Sequence, residues 1–108
     1  MLQHRLHVVI YPAPDLPGQW LSHCLELDLI SQGNTPVHTL DMMAEAIQLC
    51  ADENVREGRP PLAFRSAPSE IWEMAGTAEE VTTRILHLSP ASLPDDVTLA
   101  PFIIGRAG

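Results

Sequence analysis

Five histidines, two cysteines and fourteen acidic residues are the side chains of this 108-residue chain with chemistry to offer. The histidines are His4, His7, His23, His38 and His87, and none stands at the spacing of a recognised zinc site. Pairing of the first two strands would bring His7 toward His23. A metal or small-ligand site built on His7, His23 or His38 is therefore one alternative to test. Cys24 beside His23 has the composition of a nucleophile and its base. Adjacent strand residues point to opposite faces, so the two cannot share a direct hydrogen bond. Cys50 falls near the inner face of a predicted helix, and both cysteines read as buried thiols rather than a disulfide. Glu26 and Asp28 flank a reversal and suit a turn better than a paired acid–base device. Gly33-Asn34-Thr35 ahead of a helix is too short for a phosphate loop, and Thr35 reads as a cap. Trp20 and Trp72 lack the basic surroundings of base-stacking residues, which leaves packing in a core or interface. The expectation is a chain with no catalytic residue, no metal site and no cofactor, hence not an enzyme.

The elements that would position these groups follow from local signals. Leu6–Tyr11 is rich in β-branched residues and reads as a strand. Residues 12–18 contain three prolines and a glycine and form a hairpin loop. Gln19–Leu27 reads as the second strand, with Trp20, Ser22, Cys24 and Glu26 on one face and Leu21, His23, Leu25 and Leu27 on the other. A tight reversal leads to a third strand, Leu29–Gln32. Thr35 and Pro36 then open a helix, Pro36–Glu57, whose inner face carries Val37, Leu40, Ala44, Ile47 and Ala51 with Met43 and Cys50 beside them. Gly58 and Pro60-Pro61 stop it. Ser69–Ala75 reads as a short helix ended by Gly76, with Trp72 and Met74 packing back. Glu80–Leu88 is the fourth strand. Val97–Ile104 reads as a short edge strand interrupted by Pro101. The fold class is α+β: a three-stranded antiparallel meander, a long helix and one further strand (β-β-β-α-β), with a short extra C-terminal helix or strand.

Trp20, Ser22, Cys24, Glu26, Leu27, Ser31, Gly33, Asn34, Thr35 and the helical run Met43–Ile47 resemble the signature of the HicB antitoxin family and its small HicB-like relatives. The resemblance spans residues 5–57. It departs from the family pattern at the second reversal, where Leu25-Glu26-Leu27-Asp28-Leu29 replaces a Pro-Gly turn. A length of 108 residues suits one domain over residues 1–108, with the resemblance placing its core at 5–57 and leaving 58–108 as a covering segment. The resemblance also implies self-association and a toxin-binding role: HicB antitoxins neutralise HicA, a small basic RNA-cleaving toxin. Residues 66–108 show no pair of amphipathic helices, so the DNA-binding extension of many family members is not expected here.

Composition agrees with a protein-binding role. Fourteen acids against six arginines, with no lysine, leave a net charge of −8. Such a chain repels a phosphate backbone and attracts a basic partner. Asp41, Glu45, Asp52 and Glu53 on the helix are the candidate steering residues, with Trp20 as a candidate contact. No apolar stretch approaches a membrane span, and Leu2–Ile10 lacks a signal pattern, so the expected location is cytoplasmic. The expected partners are a second copy of the chain and a HicA-like toxin, without DNA or membrane. An orphan oligomerisation domain is the alternative.

Overall fold

The computed structural model describes residues 4–76, 79–80, 84–86 and 97–103. Three strands come first: β1 (His4–Pro12), β2 (Trp20–Cys24) and β3 (Leu29–Gly33). Helix α1 (Pro36–Arg56) follows, then α2 (Ser69–Gly76), β4 (Glu79–Glu80), β5 (Arg84–Leu86) and β6 (Val97–Ile103). The strands lie in the order β3-β2-β1-β6-β4, with β5 also paired to β6. β1, β2 and β3 form the expected antiparallel meander, with Val9 opposite His23 and Ser22 opposite Ser31. The α+β class is as expected from the sequence. No helix among the described residues is long and apolar enough to cross a membrane.

β1 sits in the middle of the sheet and is covered on both sides, which is why its apolar residues barely alternate with polar ones. Leu6, Val8 and Ile10 face α1, where they meet Met43, Ala44, Ile47 and Ala51. Val9 faces the other way and joins Leu25 and Ala67, with Ile71, Met74 and Ala75 of α2 packed against them. Met43 and Ile47 are wholly buried, and each contributes about 2 kcal/mol by that burial.

Four sequence expectations need correction. β2 ends at Cys24 rather than Leu27. The Asp28 N–H donates to the Cys24 carbonyl at 2.9 Å, and Asp28 takes a left-handed φ of 54°. That turn sends Leu25 into the α2 layer and Leu27 into the α1 layer, so the two leucines do not share a face. Secondly, β6 is an interior strand, parallel to β1 with Leu6 opposite Leu99. Pro101 stands opposite Val8 of β1, and among the described pairings β5 meets residues 97–99 and β4 meets 102–103. Thirdly, Val37 is exposed. Thr39 is the residue turned toward β3, and Val37 lies 200° away around the helix at about 100° per residue. Finally, Trp72 is exposed while Met74 packs as expected. Ile71, Met74 and Ala75 already fill the inner face of α2, and the Trp72 indole N–H donates to Ser66 Oγ at 2.9 Å.

The ends of α1 follow local rules. Thr35 Oγ1 accepts from the His38 N–H at 2.9 Å, and His38 Nδ1 accepts in return from the Asn34 N–H at 2.9 Å. At the other end Gly58 has a φ of +77°. Segment 58–68 then crosses the end of the sheet. The Arg65 and Ala67 N–H groups donate to the Glu26 and Leu25 carbonyls at 2.8 and 2.9 Å.

Candidate partner-binding surface

Ser22, Ser31 and Gly33 fasten α1 to the sheet through Thr39. The buried Ser22 hydroxyl donates to the Thr39 carbonyl at 3.0 Å. The Thr39 hydroxyl lies within hydrogen-bond reach of Ser22 Oγ (3.0 Å) and the Ser31 carbonyl (3.2 Å). Gly33 permits the approach: a Cβ there would stand 2.4 Å from the Thr39 nitrogen. Cys24 is fully buried in the α1 layer. Burial pushes its thiol up to about 12, with the Glu26 charge adding to the effect. It therefore stays protonated and un-nucleophilic near neutral pH. Cys24 and His23 face opposite layers, as strand geometry requires.

His7 and His23 each have their own carboxylate. The Glu26 carboxylate accepts from the His7 backbone N–H at 2.8 Å and from His7 Nδ1 at 2.5 Å. Asp28 Oδ1 accepts from His23 Nε2 at 2.7 Å, while His23 Nδ1 is buried without a hydrogen-bond partner. His38 is a helix cap, His4 opens β1, and His87 lies outside the described residues. Among the described residues no three His, Cys, Asp or Glu side chains are grouped to hold a metal ion. The turn placement of Glu26 and Asp28 was legible in the sequence. Their histidine partners were not, because the β1–β2 register and the Asp28 conformation set them.

The five candidate partner residues fall in three places. Asp41, Glu45 and Asp52 sit at i, i+4 and i+11, one stripe on the solvent side of α1. Gln48 lies in the same stripe, and its amide donates to Asp52 Oδ1 at 3.0 Å. Glu53 lies on the adjacent flank and pairs with Arg56, whose hydrogen bond holds the Glu53 carboxyl below the usual carboxylate range. Trp20 is half-buried and packs on the α1-side core.

Sequence reasoning missed a depression beside the C-terminal half of α1. It encloses about 390 Å³ and is lined by residues including Asp28, Leu29, Cys50, Arg59, Phe64 and Arg65. A second hollow of about 570 Å³ adjoins it and adds Ala46, Leu49 and Arg56. Asn54 shapes the wall between helix and loop. Its Oδ1 accepts from Arg59 Nε and Nη2 at 3.1 and 3.0 Å, and its Nδ2 donates to the Pro61 carbonyl at 2.9 Å. The signal available in the sequence was the run Arg59–Arg65, which places two of the six basic residues around an aromatic.

Comparisons with protein-family models, curated proteins and solved structures find no match to this chain.

Proposed function

We propose that this chain is a non-enzymatic, HicB-like binding domain that neutralises a small basic RNA-cleaving toxin of the HicA type in the cytoplasm. The observation that carries the reading is the stripe Asp41, Glu45 and Asp52 on the solvent side of α1, in a chain of net charge −8. Such a face steers a basic partner into encounter and sets the salt dependence of binding. Ser22, Ser31, Gly33 and Thr35 of the HicB-like signature each have a structural task at the β3–α1 junction, which supports the resemblance. His7 and His23 are committed to local carboxylates and His38 to a helix cap, which disfavours the alternative of a ligand site built on these three histidines.

Co-expression with the product of the neighbouring gene, followed by pull-down at two salt concentrations, tests the proposal. The expected result is a complex that weakens at high salt. Replacing Asp41, Glu45 and Asp52 together by lysine lowers affinity by about tenfold or more at low salt, and by less at high salt. Capture that ignores both salt and this charge reversal would overturn the assignment of the stripe.

Self-association belongs to the same proposal. Among the described pairings β3 is a sheet edge, and Ile30 on it is 58% exposed. A sheet edge with an exposed apolar side chain favours pairing with another strand. Light scattering is expected to return twice the 11.9 kDa chain mass, and Ile30→Lys to shift it toward the monomer. A monomer at all concentrations would leave the toxin-binding proposal standing without the dimer. A dimer that captures no basic partner would favour the orphan oligomerisation domain.

A further inference from the structure

Half of the arginines of this acidic chain gather in one place. Arg59 and Arg65 line the 390 Å³ depression together with Leu27, Leu29 and Phe64, and Arg56 lines the adjoining hollow. These are three of the six basic residues in the chain. Two of the three are engaged. Arg56 pairs with Glu53. Arg59 is held by Asn54 Oδ1 and by Glu57 Oε1 at 2.6 Å, which fixes its fork at the rim. Arg65 has no side-chain partner among the described residues, although its backbone N–H is anchored to the Glu26 carbonyl. Phe64 beside it is 69% exposed. An uncommitted arginine next to an exposed aromatic, above the apolar Leu27 and Leu29, has the composition of a recognition site. The volume suits a small organic group.

We infer that this depression binds a monoanionic carboxylate attached to an aromatic or aliphatic body. Arg65 takes the carboxylate through its planar fork, and Phe64, Leu27 and Leu29 cover the apolar body. Charge decides the class of anion. One uncommitted guanidinium matches one carboxylate in bidentate geometry. A phosphate dianion would meet Asp28 and Glu53 in the walls of the same hollows, in a chain of net charge −8. Asp28 is bonded to His23 and offers no cation of its own. The same chemistry is presented by the C-terminal residue of a peptide and by a free aryl acid. The inference does not depend on the toxin-binding proposal.

The test is a titration of the full ¹⁵N-labelled chain, following arginine Nε–H and backbone signals by NMR. The probes are N-acetyl-phenylalanine, phenylacetate, the uncharged N-acetyl-phenylalaninamide, inorganic phosphate and uridine monophosphate. Both carboxylates are expected to shift Arg65, Phe64 and Leu29 with a Kd near about 1 mM, and the amide to bind about tenfold more weakly. Arg65→Gln is expected to lose about tenfold for the carboxylates, without a change in melting temperature, since the Arg65 side chain is exposed. Preference between the two acids separates a chain terminus from a free aryl acid. Equal binding of acid and amide, tighter binding of phosphate or the nucleotide, or no shift at about 10 mM ligand would overturn the inference.

Discussion

Gly33→Ala is expected to destabilise the protein by about 3 kcal/mol, because the added methyl group has nowhere to go. Its Cβ would stand 2.4 Å from the Thr39 nitrogen, 2.7 Å from Thr39 Cα and 2.9 Å from the His38 carbonyl carbon. All three are backbone atoms of the first turns of α1, and backbone cannot rotate aside as a side chain does. Relief requires α1 to lift from β3. That movement loosens the Thr39 hydroxyl from Ser31 and withdraws Met43 and Ile47 from the sheet. The melting temperature should fall by roughly 15 °C in circular dichroism. Gly58→Ala is the matched control. Nothing lies within 4 Å of its added Cβ, so only the left-handed φ of +77° resists, at a cost of about 1 kcal/mol. Equal losses at the two glycines would mean that contact between β3 and the helix backbone is not what Gly33 serves.

Thr39→Val is expected to cost about 2 kcal/mol, although it keeps the shape of the side chain. Thr39 is wholly buried, as is Ser22. Removing the hydroxyl takes a donor from the Ser31 carbonyl and a hydrogen-bonding neighbour from Ser22 Oγ. Ser22 Oγ, wholly buried, cannot turn to water instead. Ser22→Ala alone should cost about 1 kcal/mol, since its hydroxyl also serves the Thr39 carbonyl. The two effects should not add. With both hydroxyls gone, fewer unsatisfied groups remain than the single changes imply, and a coupling of about 1 kcal/mol is expected. Urea denaturation of the two single variants and the double variant measures it. Strict additivity would show that the serine and threonine do not act as one unit.

Ser22, Ser31, Gly33 and Thr35 stand out by type and spacing. Their common role appears only when Thr39 is included, and a threonine inside an otherwise apolar helix face carries no strong signal of its own. Its position four residues before Met43 and eight before Ile47 was the available clue.

What the sequence by itself determined is local. Thr35 and Pro36 open α1, Gly58 lies beyond its end, and the 3.6-residue period selects Ala44, Ile47 and Ala51 for its buried face. The strand character of β1, the proline-rich hairpin loop and the short helix α2 were legible for the same reason. Caps, prolines and periodicity act within a few residues of chain. Only the tertiary structure decided matters that join distant residues. Val97–Ile103 became an interior strand because β1 offers it a parallel edge ninety-three residues away, between His4 and Val97. β2 stopped at Cys24 because Leu25 and Leu27 are wanted by opposite layers, and the turn that separates them places Asp28 against His23. Arg59, Phe64 and Arg65 became one wall of a depression because Asn54 and the Glu26 carbonyl pin that loop beside α1. Each of these rests on pairing between residues that no local propensity links, and burial in the assembled layers selects among the pairings.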